Sequence, residues 1–231
     1  MKAMILAAGR GERLRPLTDS VPKPMLPVAG KPLIEHHIVR LADAGITDIV
    51  INTCWLAEQI EEYFSDRGRR LGVTIHWSKE ATALETGGGI AKALPLLGNN
   101  PFMLINGDVW SDYPLAELDD SKLSDNLDAW LLLVNNPEHN RRGDFALRDN
   151  IVHYAEQQTA TFSGISLIRP SLFADHRDSD DKAFPLRDAL RPAILAGRVG
   201  GAVYTGRWCD VGTVARYQQL ESIFKQENNS P

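Results

Sequence analysis

The sequence predicts an α/β protein in which a mixed, mostly parallel central sheet is flanked by helices. In the first half, short apolar runs alternate with segments of helical periodicity, as in a parallel sheet covered on both faces. In the second half, short apolar runs follow one another closely with turn residues between them, which predicts a small β-rich extension of that sheet. The 43% hydrophobic and 24% charged content is ordinary for a globular chain of 231 residues.

The elements of the first half follow from hydrophobic periodicity and from the glycines and prolines that bound each segment. The helix over 87–97 is the least regular of them, because it begins with three consecutive glycines. We predict strands at 3–8, 48–52, 73–77 and 101–105, and helices at 32–44, 56–69 and 87–97.

The second half contains shorter apolar runs and two further helical patterns. We predict strands at 129–134, 144–147, 151–154, 162–167 and 199–204, and helices at 186–196 and 214–226. The acidic run 178–181 is expected to be a solvated loop, and 228–231 a frayed tail. No linker composition or repeat divides the chain, so we expect one Rossmann-like domain over 1–231 with halves at 1–110 and 111–227.

Charge and composition exclude several classes of function. The net charge of −5 argues against a nucleic-acid-binding protein, although a local arginine cluster can still bind a small anion. No apolar run reaches transmembrane length and the run at 3–8 is too short for a signal peptide, so we expect no membrane partner and a cytoplasmic location. Cys54 and Cys209 have neither zinc-site nor disulfide-framework spacing. The oligomeric state is left open.

The strongest functional signal is the loop Leu6-Ala-Ala-Gly-Arg-Gly-Glu-Arg-Leu-Arg-Pro-Leu-Thr18. Its glycines let backbone N–H groups approach an anion, and Arg10, Arg13 and Arg15 supply positive charge. Leu14 stands where the dinucleotide fingerprint requires a third glycine, and the Lys-Ser/Thr of a Walker loop is missing. The loop is therefore predicted to bind polyphosphate in another way, the alternative being a solvated turn.

Lys23 lies between two prolines in Pro22-Lys-Pro24. The restricted backbone on both sides suits a cation that must meet developing phosphate charge without reorganisation. An ordinary exposed lysine is the alternative.

Two acidic motifs and one glycine-rich motif complete the set. Asp108 follows a predicted strand in Asn106-Gly-Asp108, where open α/β sheets bind ligands, and Asp210 precedes a glycine turn. Such carboxylates can hold Mg²⁺ with phosphate oxygens, or they can be helix caps and turn residues. The segment Leu84-Glu-Thr-Gly-Gly-Gly-Ile90 offers a flat backbone surface for a base or ribose, or else a flexible loop.

Taken together, these motifs resemble the signature of sugar-1-phosphate nucleotidylyltransferases, in the same order along residues 1 to about 225. The resemblance implies the nucleotide-diphospho-sugar transferase fold and a reaction that joins a nucleoside triphosphate to a sugar 1-phosphate and releases pyrophosphate. Pro22-Lys-Pro-Met-Leu-Pro27 with Glu85-Thr-Gly-Gly-Gly89 is most similar to bacterial N-acetylmuramate α-1-phosphate uridylyltransferases of cell-wall recycling. Mannose-1-phosphate guanylyltransferases and glucose-1-phosphate thymidylyl- or uridylyltransferases remain alternatives, as does a catalytically idle nucleotide sensor.

The resemblance implies a role for each matching residue. Arg13 and Lys23 would be catalytic, and Mg²⁺ would be the cofactor, held by Asp108 and Asp210. The nucleotide would contact Ala8, Gly9, Gly11, Arg13, Glu80, Gly87 and Gly88, and the sugar would contact Gly143, Glu156 and Gly164.

Two features depart from the family pattern. The segment Ala155-Glu-Gln-Gln158 retains the acid but lacks the lysine and proline that often follow it, so the group that anchors the sugar phosphate is not identified. Arg141 and Arg142 precede Gly143, and we hypothesise that one of them binds the lactyl carboxylate of an N-acetylmuramate substrate, with a solvated surface pair as the alternative.

Overall fold

A nine-stranded mixed sheet forms the centre of the computed structural model, which describes residues 1–176 and 182–228. The strands are β1 (Lys2–Leu6), β2 (Pro27–Val28), β3 (Lys31–Pro32), β4 (Asp48–Thr53), β5 (Thr74–Lys79), β6 (Phe102–Asn106), β7 (Val109–Ser111), β8 (Ala129–Asn135), β9 (Ala146–Arg148), β10 (Ile151–His153), β11 (Ala160–Ile168), β12 (Val199–Tyr204) and β13 (Trp208–Asp210). The α-helices are α1 (Leu33–Asp43), α2 (Ala57–Phe64), α3 (Arg67–Arg70), α4 (Glu85–Leu97), α5 (Leu186–Leu195) and α6 (Val214–Asn228).

The strand order in the main sheet is β5-β4-β1-β6-β11-β8-β12-β10-β9. The first four strands in this order are parallel, β11 is antiparallel to both neighbours, and β12 is parallel to β8. The predicted fold class is confirmed, because a mostly parallel half continues through β11 into a mixed β-rich half. Separately, β7 pairs with β13 and β2 pairs with β3 in short antiparallel ribbons.

The sheet is buried on both faces, as the alternation in β1 shows. Ala3 and Ile5 face one apolar cluster with Ile34 and Ile38 of α1, whereas Met4 faces the opposite cluster with α4 and α5. A third cluster connects the loop after β1, the β7–β13 ribbon and α6; its buried members are Leu14, Leu26, Val28, Leu33, Trp110, Val211 and Leu220. This third cluster fixes segments that are distant in sequence around one edge of the sheet.

Each predicted strand is present, with ends shifted by at most two residues. The single predicted helix over 56–69 is wrong, because the chain forms two helices, α2 and α3, with a break at Ser65. The Ser65 hydroxyl and backbone N–H both contact Glu62 O, and this side-chain competition ends α2. The short ribbons were missed because two or three residues carry no periodicity.

Helix α6 runs two residues beyond its predicted end, to Asn228. The acidic run 178–181 and residues 229–231 of the predicted tail lie outside the described residues. Within the described ranges, no helix is both long and apolar enough to cross a membrane.

Candidate active site

A cavity of about 230 Å³ lies at the carboxyl ends of β1, β4 and β6. This is the edge at which open α/β sheets bind ligands. Its lining includes predicted site residues from both the glycine loop and the acidic turn, namely Ala8, Gly9, Gly11, Lys23, Glu80 and Asp108, together with Asn52, Ala83, Glu85, Thr86 and Asn106.

The glycine loop is held in a compact form by its own backbone. Gly11 has φ +71°, and a Cβ atom there would lie 3.0 Å from the side chains of Lys23 and Thr18. The Thr18 hydroxyl and the Leu14 N–H both donate to Gly11 O, at 2.9 Å each. Glycine is therefore required at position 11 by both conformation and space.

The three arginines of the loop differ in their contacts. Arg10 pairs with Glu12 at 3.0 Å and lies over the Trp55 ring at 4.2 Å, and Arg15 pairs with Asp19 at 2.8 Å. Arg13 is exposed and has no ion pair within the described part of the chain. Arg13 is thus the loop arginine whose charge is left for an anionic ligand.

Lys23 and Asp108 meet at the centre of the cavity. Lys23 is buried, and its Nζ contacts Asp108 Oδ2. Gly107 makes this contact feasible: its N–H donates to Leu6 O at 2.9 Å, and a Cβ there would lie 2.5 Å from the same oxygen. The turn after β6 can therefore pass close to the end of β1 and bring the carboxylate to the lysine.

Asp210 is brought beside Asp108 by the β7–β13 ribbon. Asp210 pairs with Val109 in register, and the Val211 N–H donates to Asp108 O at 2.7 Å. His139 Nε2 lies 3.0 Å from Asp210 Oδ1, and Arg216 Nη2 lies 3.2 Å from Asp210 Oδ2. Burial raises the pKa of the Asp210 carboxyl, Asp108 adds to this rise, and Arg216 and His139 oppose it.

The two carboxylates can hold a divalent cation. The Oδ1 atom of Asp210 is buried with His139 Nε2 3.0 Å away, and a carboxylate oxygen can accept from more than one partner, so the carboxylate keeps capacity for a cation. The described residues contain no cluster of three or more His, Cys, Asp or Glu side chains with metal-site geometry. A pair of carboxylates suits an ion such as Mg²⁺, which takes its remaining ligands from water and phosphate.

Glu80 connects three elements beneath the cavity. Asn52 Nδ2 donates to Glu80 Oε1 at 2.7 Å, the Leu84 N–H donates to Oε2 at 3.0 Å, and Asn52 Oδ1 accepts from the Ala7 N–H at 2.8 Å. These bonds hold the start of α4 against β1 and β4. Sequence reasoning missed Asn52, although a polar residue at the carboxyl end of a predicted strand is a usable signal.

The glycines of α4 have a packing role in this structure. The Gly87 and Gly88 N–H groups donate to Phe184 O at 2.9 and 3.1 Å, and a Cβ on either glycine would collide with residues 182–184. Neither glycine lines the cavity. Contact between these glycines and a base stays a prediction.

A second, smaller cavity adjoins Asp108 and Asp210 on the β11 side. Its lining includes Gly164, which lies in a bulge of β11 with φ +83° and whose added Cβ would lie 2.9 Å from Asn106 Nδ2. The Trp208 Nε1–H donates to Ser163 O at 2.8 Å and fixes the bulge. The structure thus brings Gly164 together with both acids.

The other predicted sugar contacts lie outside this lining. Gly143 has φ +66° and packs against Asn136, while Glu156 is exposed after β10. Arg141 and Arg142 are exposed as well. His139 and Arg216, which contact Asp210, were missed because no local motif marks them.

The chain belongs to the nucleotidyl transferase family, whose model matches residues 2–227. The predicted resemblance to sugar-1-phosphate nucleotidylyltransferases is thereby confirmed.

Known relatives cover almost all of the chain. An N-acetylmuramate α-1-phosphate uridylyltransferase of Neisseria meningitidis serogroup B is 49% identical over 96% of this chain and 98% of its own length. One from Caulobacter vibrioides is 34% identical over 91% of both chains. A mannose-1-phosphate guanylyltransferase of Mycobacterium tuberculosis is 35% identical over 91% of this chain and 61% of its own length.

Solved structures share the fold at lower identity. A Bacillus anthracis protein, provisionally assigned as a glucose-1-phosphate thymidylyltransferase and crystallised with sucrose, has a TM-score of 0.86 at 23% identity over 96% of this chain and 94% of its own. HddC from Yersinia pseudotuberculosis, in complex with GMP-PN, has a TM-score of 0.79 at 23% identity over 96% and 99%.

Proposed function

We propose that this enzyme transfers a uridylyl group from UTP to N-acetylmuramate α-1-phosphate and releases pyrophosphate, in cytoplasmic recycling of cell-wall sugars. The observation that carries the chemistry is the meeting of Lys23, Asp108 and Asp210 at the carboxyl edge of the sheet. The choice of base and sugar rests on the 49% identical relative from Neisseria meningitidis.

In this proposal, residues 1–110 hold the nucleotide. The backbone of Ala8, Gly9 and Gly11 and the side chain of Arg13 bind the triphosphate, and Lys23 stabilises the charge that develops at the α-phosphorus. Glu80, which lines the cavity, and the backbone of Gly87 and Gly88 are the proposed base contacts.

Residues 111–227 hold the acceptor in this proposal and complete the metal site. Gly143, Glu156 and Gly164 are the proposed sugar contacts, and Asp108 and Asp210 would hold Mg²⁺. The position of the two carboxylates side by side, set by the β7–β13 ribbon, supports this assignment. Bound Mg²⁺ would neutralise phosphate charge shared between the two substrates.

The proposed reaction is an in-line displacement at the α-phosphorus. An oxygen of the sugar 1-phosphate forms the new P–O bond while the bond to pyrophosphate breaks on the opposite side. Because the nucleophile is already anionic, no general base is needed, and positioning and charge stabilisation supply most of the rate.

A guanylyl or thymidylyl transfer to a hexose 1-phosphate is the second candidate, supported by the 35% identical relative from Mycobacterium tuberculosis. The discriminating experiment measures pyrophosphate release from each nucleoside triphosphate with several sugar 1-phosphates. We expect the highest kcat/KM for UTP with N-acetylmuramate α-1-phosphate. A preference for another pair would support the second candidate, and no release from any pair would indicate a nucleotide sensor.

A further inference from the structure

Arg216, in the first turn of α6, places a guanidinium group against Asp210. Only 14% of its side chain is exposed. Its Nε and Nη2 atoms are buried and have no hydrogen-bond acceptor among the described residues, although Nη2 lies 3.2 Å from Asp210 Oδ2. Buried donors in this state are costly to the protein, so the site favours a ligand that supplies acceptors.

Gly212 supplies the room that this guanidinium occupies. A Cβ at position 212 would lie 1.9 Å from Arg216 Nη2, and the φ of Gly212 lies outside the left-handed region. Glycine at position 212 therefore leaves the space in which the guanidinium lies, and the backbone conformation there does not itself require glycine. The fold thus accommodates an arginine that pairs with Asp210 and whose buried Nε–H has no acceptor among the described residues.

Arg216 is one of the residues that line a cavity of about 490 Å³ between α6 and the turn at residues 137–139. This cavity shares His139, Trp208 and Asp210 with the smaller cavity that contains Gly164. A ligand in the smaller cavity is therefore separated from Arg216 only by the side chains around Asp210.

We propose that Arg216 binds an oxyanion of the acceptor sugar, namely its 1-phosphate, and so replaces the lysine that is missing from residues 155–158. The inference rests on the proposed function, because it assumes a sugar 1-phosphate. Arg216 lies beside Asp210 and offers planar donors suited to phosphate oxygens, in addition to the charge of Lys23 and of bound Mg²⁺. The carboxylate of a muramate is the other oxyanion that this acceptor offers.

The test compares Arg216→Gln, Arg216→Lys and Gly212→Ala with the wild type, using initial rates and titration calorimetry of the sugar 1-phosphate. We expect Arg216→Gln to raise the acceptor KM and Kd by about tenfold or more, with the KM for UTP within about twofold. Arg216→Lys keeps the positive charge but loses the planar pair of guanidinium donors, so its effect on the acceptor KM and Kd should be smaller than that of Arg216→Gln. Gly212→Ala should reproduce the acceptor defect with the arginine still present, since its Cβ displaces the guanidinium.

The control is Arg191→Gln, an exposed arginine on α5 outside both cavities, which should leave all constants unchanged. Thermal unfolding of each variant separates loss of fold from loss of binding. If the KM and Kd of the sugar 1-phosphate are unchanged in Arg216→Gln, the inference is overturned. A shift in the Mg²⁺ concentration needed for activity would then indicate that Arg216 acts only through Asp210.

Two acceptors distinguish the two oxyanions. If Arg216→Gln weakens the binding of N-acetylmuramate 1-phosphate and of N-acetylglucosamine 1-phosphate by the same factor, the phosphate is the group that Arg216 binds. A loss confined to the muramate would overturn this choice in favour of the carboxylate. If the wild type binds a sugar 1-phosphate but does not turn it over, the proposed function fails, while calorimetry on the variants still decides the role of Arg216.

Discussion

The two halves of the molecule build their shares of the site in different ways. In residues 1–110, most site residues lie at or just after the carboxyl ends of β1, β4, β5 and β6, so neighbouring parallel strands bring them together; Lys23 reaches them from the end of the loop after β1. In residues 111–228, they come from a short turn at His139, a bulge in β11, the ribbon strand β13 and the first turn of α6. The proposed nucleotide side is thus built mainly from the ends of neighbouring strands, whereas the proposed acceptor side is assembled by packing between segments of different kinds.

Asp108 belongs to residues 1–110, and its replacement should have the largest effect on kcat. We expect Asp108→Asn to lower kcat by at least about 100-fold, because charge stabilisation at the transferred phosphoryl group is lost. UTP binding, followed by calorimetry, should be largely kept. Asp210→Asn is the matched variant from the other half, and a much weaker effect there would show that the two halves do not share the metal site equally. Wild-type turnover in Asp108→Asn would contradict a role in catalysis.

Replacing Lys23 tests how much its positive charge contributes to catalysis in the same half of the molecule. We expect Lys23→Met to lower kcat by about 100-fold with a smaller change in the KM for UTP, since the lysine acts on charge that develops during transfer. Single-turnover kinetics would separate this effect from product release. Arg10→Met is a control from the neighbouring loop, because Arg10 already pairs with Glu12 and lies over Trp55. Equal losses in both variants would indicate that the loop as a whole, and not Lys23, had been disturbed.

The difference between the halves explains how much could be read from the sequence. The strands and most helices follow from hydrophobic periodicity, and the loop at 6–18, Lys23 and Asp108 follow from motifs whose physics is local. Asp210 was found from a motif, but its position beside Asp108 depends on the β7–β13 ribbon, which is too short to predict. His139 and Arg216 have no local signal, because His139 reaches Asp210 only after two distant segments pack together, and the contact of Arg216 depends on how α6 leaves β13.

Gly164 tests whether the bulge in β11 shapes the acceptor side. We expect Gly164→Ala to destabilise the protein by about 1–2 kcal/mol through its positive φ, and also to raise the acceptor KM, because its Cβ would displace Asn106. Gly197→Ala is a close control, since Gly197 has φ +68° with open space around the added Cβ. Thermal unfolding should therefore show destabilisation in both variants, larger in Gly164→Ala because of the contact with Asn106, with the kinetic defect confined to Gly164→Ala. A kinetic defect of equal size in both would remove the bulge from the acceptor site.

Arg141 and Arg142 should produce the smallest effect, and they test how specific the acceptor half is. Both side chains are exposed, so a single ionic contact with a lactyl carboxylate is worth only a few-fold in affinity. We expect either Arg141→Ala or Arg142→Ala to raise the KM for N-acetylmuramate 1-phosphate by about threefold, more strongly at low salt, and to leave N-acetylglucosamine 1-phosphate unchanged. If neither substitution changes the KM for N-acetylmuramate 1-phosphate, the two arginines are a solvated surface pair. Recognition of the acceptor would then depend on the buried groups around Asp210 and Gly164, and the acceptor half would be specific through its packing alone.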